Sequence, residues 1–268
     1  MTLVDIPQPL IDDIEAGRCL PFIGAGFSLN ARLPNGMCMP TWQTLTEILA
    51  RIAGVSLKLG GPEVALRFEK RFGRVQLIEA IRRALNSGYA EPGEAHKAFI
   101  DLSFDTIYTT NFDLLLEDSF SLVHKPFRSI VGDLQMPFHG GPLITSIIKM
   151  HGDLRHEEHI IITSEDYSKY LDNYPVIATH LSALLITKTP LFLGYSLSDP
   201  DFQNIRRVLK ERLGKFQRMG YIIEFNKDMD EKETKLLDML HVISIPLESN
   251  ESKRLKTSRG ISRNSASS

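Results

Sequence analysis

Two hydrophobic rhythms alternate along the chain. Short, nearly continuous apolar runs occur at CLPFIG (19–24), FDTIYTT (104–110), SIIKM (146–150), HIIIT (159–163), PLFLGY (190–195), GYIIEF (220–225) and HVISIP (241–246). Runs of this length without polar alternation predict strands covered on both faces. Between them, apolar residues recur every three or four positions. Trp42, Leu45, Ile48, Leu49 and Ile52 form one such stripe behind Thr41, which predicts a capped helix. Phe202, Ile205, Val208, Leu209 and Leu213 form another behind Ser198-Asp199-Pro200, a cap followed by a proline in the first turn. The alternation predicts an α/β fold, a Rossmann-like open, mostly parallel sheet with helices on both faces.

Two regions break the rhythm. Residues 54–92 hold glycine pairs and two helical patterns, Val64–Phe72 and Val75–Leu85, without a convincing strand. They predict a small helical insertion within one domain spanning 1–247. From 248 to 268 the chain is rich in Ser, Lys and Arg and poor in apolar residues, which predicts a disordered basic tail.

Composition narrows the class. A hydrophobic fraction of 43% and a charged fraction of 24% are those of a globular protein. The formal net charge of −2 gives no global pull toward nucleic acid or an anionic membrane. No stretch approaches bilayer length, and MTLVDIPQPL lacks a basic region followed by an apolar run, so a cytoplasmic protein is expected. The 2 cysteines, Cys19 and Cys38, cannot build a four-cysteine zinc site, and no metal site is expected.

Chemistry gathers where the predicted strands end. Gly24-Ala25-Gly26-Phe27-Ser28 follows the first run. Glycine permits close backbone approach to a pyrophosphate, and turn N–H groups supply donors. The dinucleotide pattern GxGxxG fails because position 29 is Leu, and no Walker lysine is present. A nucleotide site and a bend in a buried strand both fit this turn. Thr109-Thr110-Asn111-Phe112-Asp113 closes the second run, where Asp113 also fits a helix cap. Lys149-Met150-His151-Gly152-Asp153 closes another, with Gly152 letting the chain turn and a ligand approach. Gly194-Tyr195-Ser196-Leu197-Ser198-Asp199 closes a fourth. Ligands of doubly wound sheets bind beyond such strand ends, so the four together point to one binding site.

In this order and spacing, the segments GAG-x-S (24–28), TTNFD (109–113), HG (151–152) and GYS-x-SD (194–199) resemble those of the sirtuin superfamily. With Pro40-Thr41-Trp42 and GYSLSDPDF (194–202), the likeness is to its prokaryotic sirtuin-like branch. That resemblance implies NAD as the substrate and cleavage to nicotinamide and ADP-ribose, in the setting of bacterial antiviral defence. The zinc ribbon and the G-I-P-x-F-R segment of deacetylating sirtuins have no counterpart here. A protein deacylase and a non-catalytic module sensing NAD or ADP-ribose are the alternatives.

The resemblance also implies roles. NAD cleavage builds positive charge at the ribose anomeric carbon while nicotinamide leaves neutral. The enzyme must therefore orient the ribose, stabilise charge and position a nucleophile. Asn111 is expected to contact the ribose or the attacking water, and His151 to act as general base. Asp113 is expected to hold the nicotinamide amide or organise the pocket. Ser28 and the N–H groups of Ala25, Gly26 and Phe27 are expected to face the phosphates. Ser196 is expected at the adenosine ribose or phosphates, where Gly194 leaves room. Gly24, Thr110, Gly152 and Tyr195 complete the expected NAD contacts. A homo-oligomer or a separate regulatory protein is expected to control the activity.

Overall fold

The computed structural model describes residues 6–34, 36–85, 89–141, 143–195, 207, 211, 214, 218–225 and 240–245. Its sheet contains β1 (Cys19–Ile23), β2 (Thr106–Thr109), β3 (Phe127–Ile130), β4 (Thr145–Lys149), β5 (Thr189–Leu193), β6 (Gly220–Phe225) and β7 (Leu240–Ile245). The order is β3-β4-β2-β1-β5-β6-β7, with every neighbouring pair parallel. The helices are α1 (Gln8–Glu15), α2 (Trp42–Ala53), α3 (Gly61–Phe72), α4 (Arg74–Leu85), α5 (Glu94–Asp101), α6 (Leu115–Leu122), α7 (Ser164–Ser168), α8 (Tyr170–Asn173) and α9 (Pro175–Thr187).

Every residue of β1, β2 and β4 is buried, which is why their sequence shows no alternation. On one face Phe22 stacks between Tyr108 and Phe192, at ring-centroid distances of 5.7 and 5.0 Å. Ile177, Leu181 and Leu185 of α9 cover that face. On the other, Ile23, Ile107 and Ile147 pack under Leu10 of α1, Phe99 and Ile100 of α5, and Leu116 and Phe120 of α6. A third apolar cluster joins Leu49 of α2, Val64 and Phe68 of α3, and Leu77 and Ile81 of α4. Helices α3 and α4 of the expected insertion pack against α2 in this cluster. Thr41 caps that helix as expected, its hydroxyl accepting the Thr44 N–H at 3.2 Å.

Two strand expectations are corrected. HIIIT (159–163) is not a strand. Ile160, Ile161 and Ile162 are buried in a loop whose polar groups are met from outside the sheet. Ile161 N–H donates to the His151 carbonyl at 3.1 Å, and Ile162 and Thr163 N–H donate to Asp166 Oδ2 at 3.1 and 2.9 Å. The Arg74 guanidinium takes the Ile160 carbonyl. Conversely, the FRSI segment (127–130) forms edge strand β3. Its polar Arg128 and Ser129 hid it from the apolar pattern. Of the expected helix over 202–213 only Arg207 and Glu211 are described, ion-paired four residues apart at 3.2 Å, while Ser196 and the tail 248–268 lie outside the described residues.

Candidate functional site

The strand order reverses at β1, whose partners β2 and β5 carry the chain to opposite sides of the sheet. A ligand crevice belongs at such a switch point. Here the turns after β1 and β5 interlock. Gly24 N–H donates to the Leu193 carbonyl and Gly26 N–H to the Gly194 carbonyl, both at 2.8 Å. A Cβ on Gly26 would lie 2.7 Å from the Gly194 oxygen, and one on Gly194 would lie 2.1 Å from the Phe27 nitrogen. With φ at +74°, Gly194 also holds a backbone conformation that favours glycine. The Cβ side of Gly194 is thus filled by the neighbouring turn. Phe27 N–H donates to the Gly24 carbonyl at 3.0 Å, so two of the three amides expected to meet phosphates are already paired.

Ser28 also turns inward. Its hydroxyl donates to Asp113 Oδ2 at 2.7 Å and accepts from Asn111 Nδ2 at 3.0 Å. Asn111 Nδ2 also donates to the Gly24 carbonyl at 3.1 Å. With both donations on Nδ2, Asn111 Oδ1 is left buried without a hydrogen-bond partner. The turn that carries Asn111 is built by Thr109, whose hydroxyl donates to the Ile23 carbonyl at 2.9 Å and accepts Asn111 N–H at 3.1 Å. Thr110 shares a hydrogen bond with the Tyr195 hydroxyl at 3.0 Å, tying the ends of β2 and β5 together.

Asp113 stands one residue before Leu114, the N-cap of α6, and its Oδ1 accepts the Leu115 N–H at 3.1 Å. Burial raises its pKa, opposed by the charge of Lys149 and by the Ser28 and Leu115 hydrogen bonds. His151 follows β4. Its ring meets Tyr167 edge to face at 5.2 Å between centroids, with Tyr170 at 6.4 Å. Gly152, at φ +70°, is glycine for a neighbour's sake: a Cβ would lie 2.4 Å from the His159 carbonyl. The Cβ side of Gly152 is thus filled by His159 and Ile160.

Ala25, Thr110, Asn111, Asp113 and His151 line one cleft. Pro40, Thr41, Trp42 and Leu45 face them, with Leu85 of α4 and Tyr167 of α7. The cleft opens to solvent at its mouth. Tyr167 and Leu85 escaped sequence reasoning. Leu85 ends an ordinary helical stripe and Tyr167 sits in the five-residue α7, and only the packing of these helices brings them here. Lys149 and Glu117 were missed as a pair, although a lysine inside the apolar run SIIKM is itself a signal. Among the described residues no group of three His, Cys, Asp or Glu side chains could hold a metal ion. No helix among them is long and apolar enough to cross a membrane. Both cysteines are free, and burial pushes the Cys19 thiol up to about 12.

A family model described as a SIR2-like domain matches residues 105–245. The NAD(+) hydrolase ThsA of Enterococcus faecium is 30% identical over 216 residues, covering 78% of this chain and 44% of that protein. The protein of the same name from Acinetobacter baumannii is 28% identical over 221 residues, covering 80% of this chain and 44% of that one. Defense-associated sirtuin 2 of Bacillus subtilis is 23% identical over 205 residues, covering 74% of this chain and 20% of that protein. The chain thus spans less than half the length of these relatives.

Proposed function

The chain belongs to the SIR2-like family, and from that premise we propose that it cleaves NAD to nicotinamide and ADP-ribose, with water as acceptor. The observation that carries the reading is Asn111 Oδ1, a buried acceptor without a partner on a residue that lines the cleft with His151 and Asp113. Leaving such an atom unmet costs about 1–3 kcal/mol, which a bound hydroxyl or water relieves. Asn111 Oδ1 accepts a hydrogen bond from the ribose or the attacking water. His151 takes a proton from that hydroxyl or water. Asp113 organises the pocket beside Asn111, where its charge favours the positive charge that develops at the ribose anomeric carbon. Trp42 and Leu45 exclude water from the opposite side. The relatives named as an NAD(+) hydrolase and as a defense-associated sirtuin support NAD as the substrate and a role in defence.

Residues 1–247 form the catalytic unit in this reading, with 54–92 placed to gate it. Unchecked NAD cleavage would exhaust the host cell. Self-assembly or a separate regulatory protein therefore controls turnover, and the activity of the dilute chain rises on assembly. The primary test is nicotinamide release from NAD by purified protein, across a range of protein concentrations. Asn111→Ala is expected to remove turnover yet retain NAD binding by calorimetry. Full turnover in that variant removes Asn111 from the mechanism.

A further inference from the structure

Beneath the cleft lies an ion pair with no place in the scheme above. Lys149 of β4 and Glu117 of α6 meet at 3.1 Å, with side chains only 1% and 4% exposed. Lys149 Nζ also donates to the backbone carbonyl of Asp113 at 2.5 Å. Glu117 Oε1 accepts the Ser129 hydroxyl at 3.1 Å, while Glu117 Oε2 is buried without a hydrogen-bond partner. The pair is therefore imperfectly satisfied. Burying two charges costs several kcal/mol per ion, and apolar residues of similar volume often serve stability as well or better. A stability role alone does not account for charge at this depth. Its contact with the Asp113 backbone points to the site above.

We propose that the Lys149–Glu117 pair is a positioning device for Asp113, in which Lys149 anchors the 111–113 turn through the Asp113 carbonyl and sets a buried positive charge beneath the Asp113 side chain. This rests on the NAD-cleaving reading for its catalytic consequence but not for its electrostatics. The groups around Asp113 are the Ser28 hydroxyl from the β1 turn, the Leu115 N–H, Glu117 and Asp118 from α6, and Lys149 from β4. His151 lines the same cleft, and Arg155 offsets Asp118. Burial favours the neutral acid, and so do Glu117 and Asp118. Lys149 is the cation that opposes them directly.

The test pairs two variants. Lys149→Met with Glu117→Leu replaces the ion pair by apolar volume and leaves no lone buried charge. Glu117→Gln keeps Lys149 and removes the negative partner. Asp113 is titrated by carbon-13 NMR of its labelled side-chain carboxyl, assigned with Asp113→Asn. In the double variant the titration should move up by about one unit or more, and in Glu117→Gln it should move down. The acid limb of nicotinamide release should follow each shift. Activity of the double variant then falls about tenfold one unit below its new limb and recovers at higher pH. An Asp113 titration unmoved in the folded variants overturns the proposal. A titration that moves, in a protein whose wild type releases no nicotinamide, upholds the proposal and sinks the NAD-cleaving reading.

Discussion

The two walls of the cleft are held by different physics. The strand-end wall is a buried polar lattice, in which Ser28, Asn111, Asp113, Lys149 and Glu117 join the ends of β1, β2 and β4 and the start of α6. The helical wall is an apolar bundle that runs into Phe112, Leu115, Ile160 and Ile162. It is tied to the 154–166 segment by polar side chains. Arg74 reaches Asp166 at 2.9 Å, Glu63 accepts from Ser164 at 2.9 Å, and Arg82 meets Glu157. Lys70 and Glu165 pair at 3.1 Å with side chains 59% and 55% exposed. Buried polar groups are costly to disturb, whereas exposed pairs are weak and salt-screened. The wall proposed to do chemistry is thus the stiff one. The wall proposed to gate it is attached by apolar packing and by polar contacts at its rim, of which the exposed Lys70–Glu165 pair is one that solvent can replace.

The comparison breaks most sharply at His151. His151→Ala should lower nicotinamide release by about 10²–10⁴ while circular dichroism stays unchanged. Retained turnover reduces His151 to a packing partner of Tyr167. Next come the glycines. Gly194→Ala, on the stiff wall, must displace backbone and should cost about 3 kcal/mol or more in a denaturant titration. Gly54→Ala ends α2 on the helical wall at φ +67°, where a Cβ meets only the movable Arg71 guanidinium at 3.4 Å. It should cost about 1 kcal/mol. Equal costs would dissolve the distinction.

Acid should act on the stiff wall as well. Burial lowers the pKa of His96, whose ring packs on Phe27 at 4.8 Å, from 6.5 to about 4. The unfolded chain then binds a proton that the native state refuses. Stability is full above the unfolded value and declines as pH falls from 6.5 toward 4. This histidine alone accounts for about 3 kcal/mol of that decline. His96→Gln keeps an acceptor for the Gly93 N–H, which reaches His96 Nδ1 at 3.2 Å. It should flatten the dependence, measured as thermal midpoint against pH, and an unchanged slope refutes the assignment. The smallest effect belongs to the exposed pair. Lys70→Ala should change stability by under about 1 kcal/mol, and the change should vanish at 1 M salt. A large, salt-independent loss would show the helical wall to be as stiff as the other.

The sequence by itself settled the sheet, the helix behind Thr41, the helical character of 64–85 and the gathering of polar residues at strand ends. Those signals are local: burial on two faces removes alternation, and a cap or an apolar stripe is written within a few residues. Six of the seven expected strands are present for that reason. HIIIT misled because burial, not pairing, makes a run apolar, and this loop is buried against the helices while Arg74 and Asp166 answer its backbone. Edge strand β3 went unseen because half-exposed strands tolerate Arg128 and Ser129. The glycines were legible as necessary, but their reason was not. Gly26, Gly152 and Gly194 make way for other turns of the chain, a fact of close approach between segments far apart in sequence. The same holds for Ser28 turning toward Asp113, for Trp42 and Tyr167 closing the cleft, and for Lys149 finding Glu117. Residue type and spacing announce that a group is unusual. Only tertiary packing decides which partner satisfies it, because hydrogen bonds and buried charges depend on distances of a few ångströms between segments that the sequence keeps far apart.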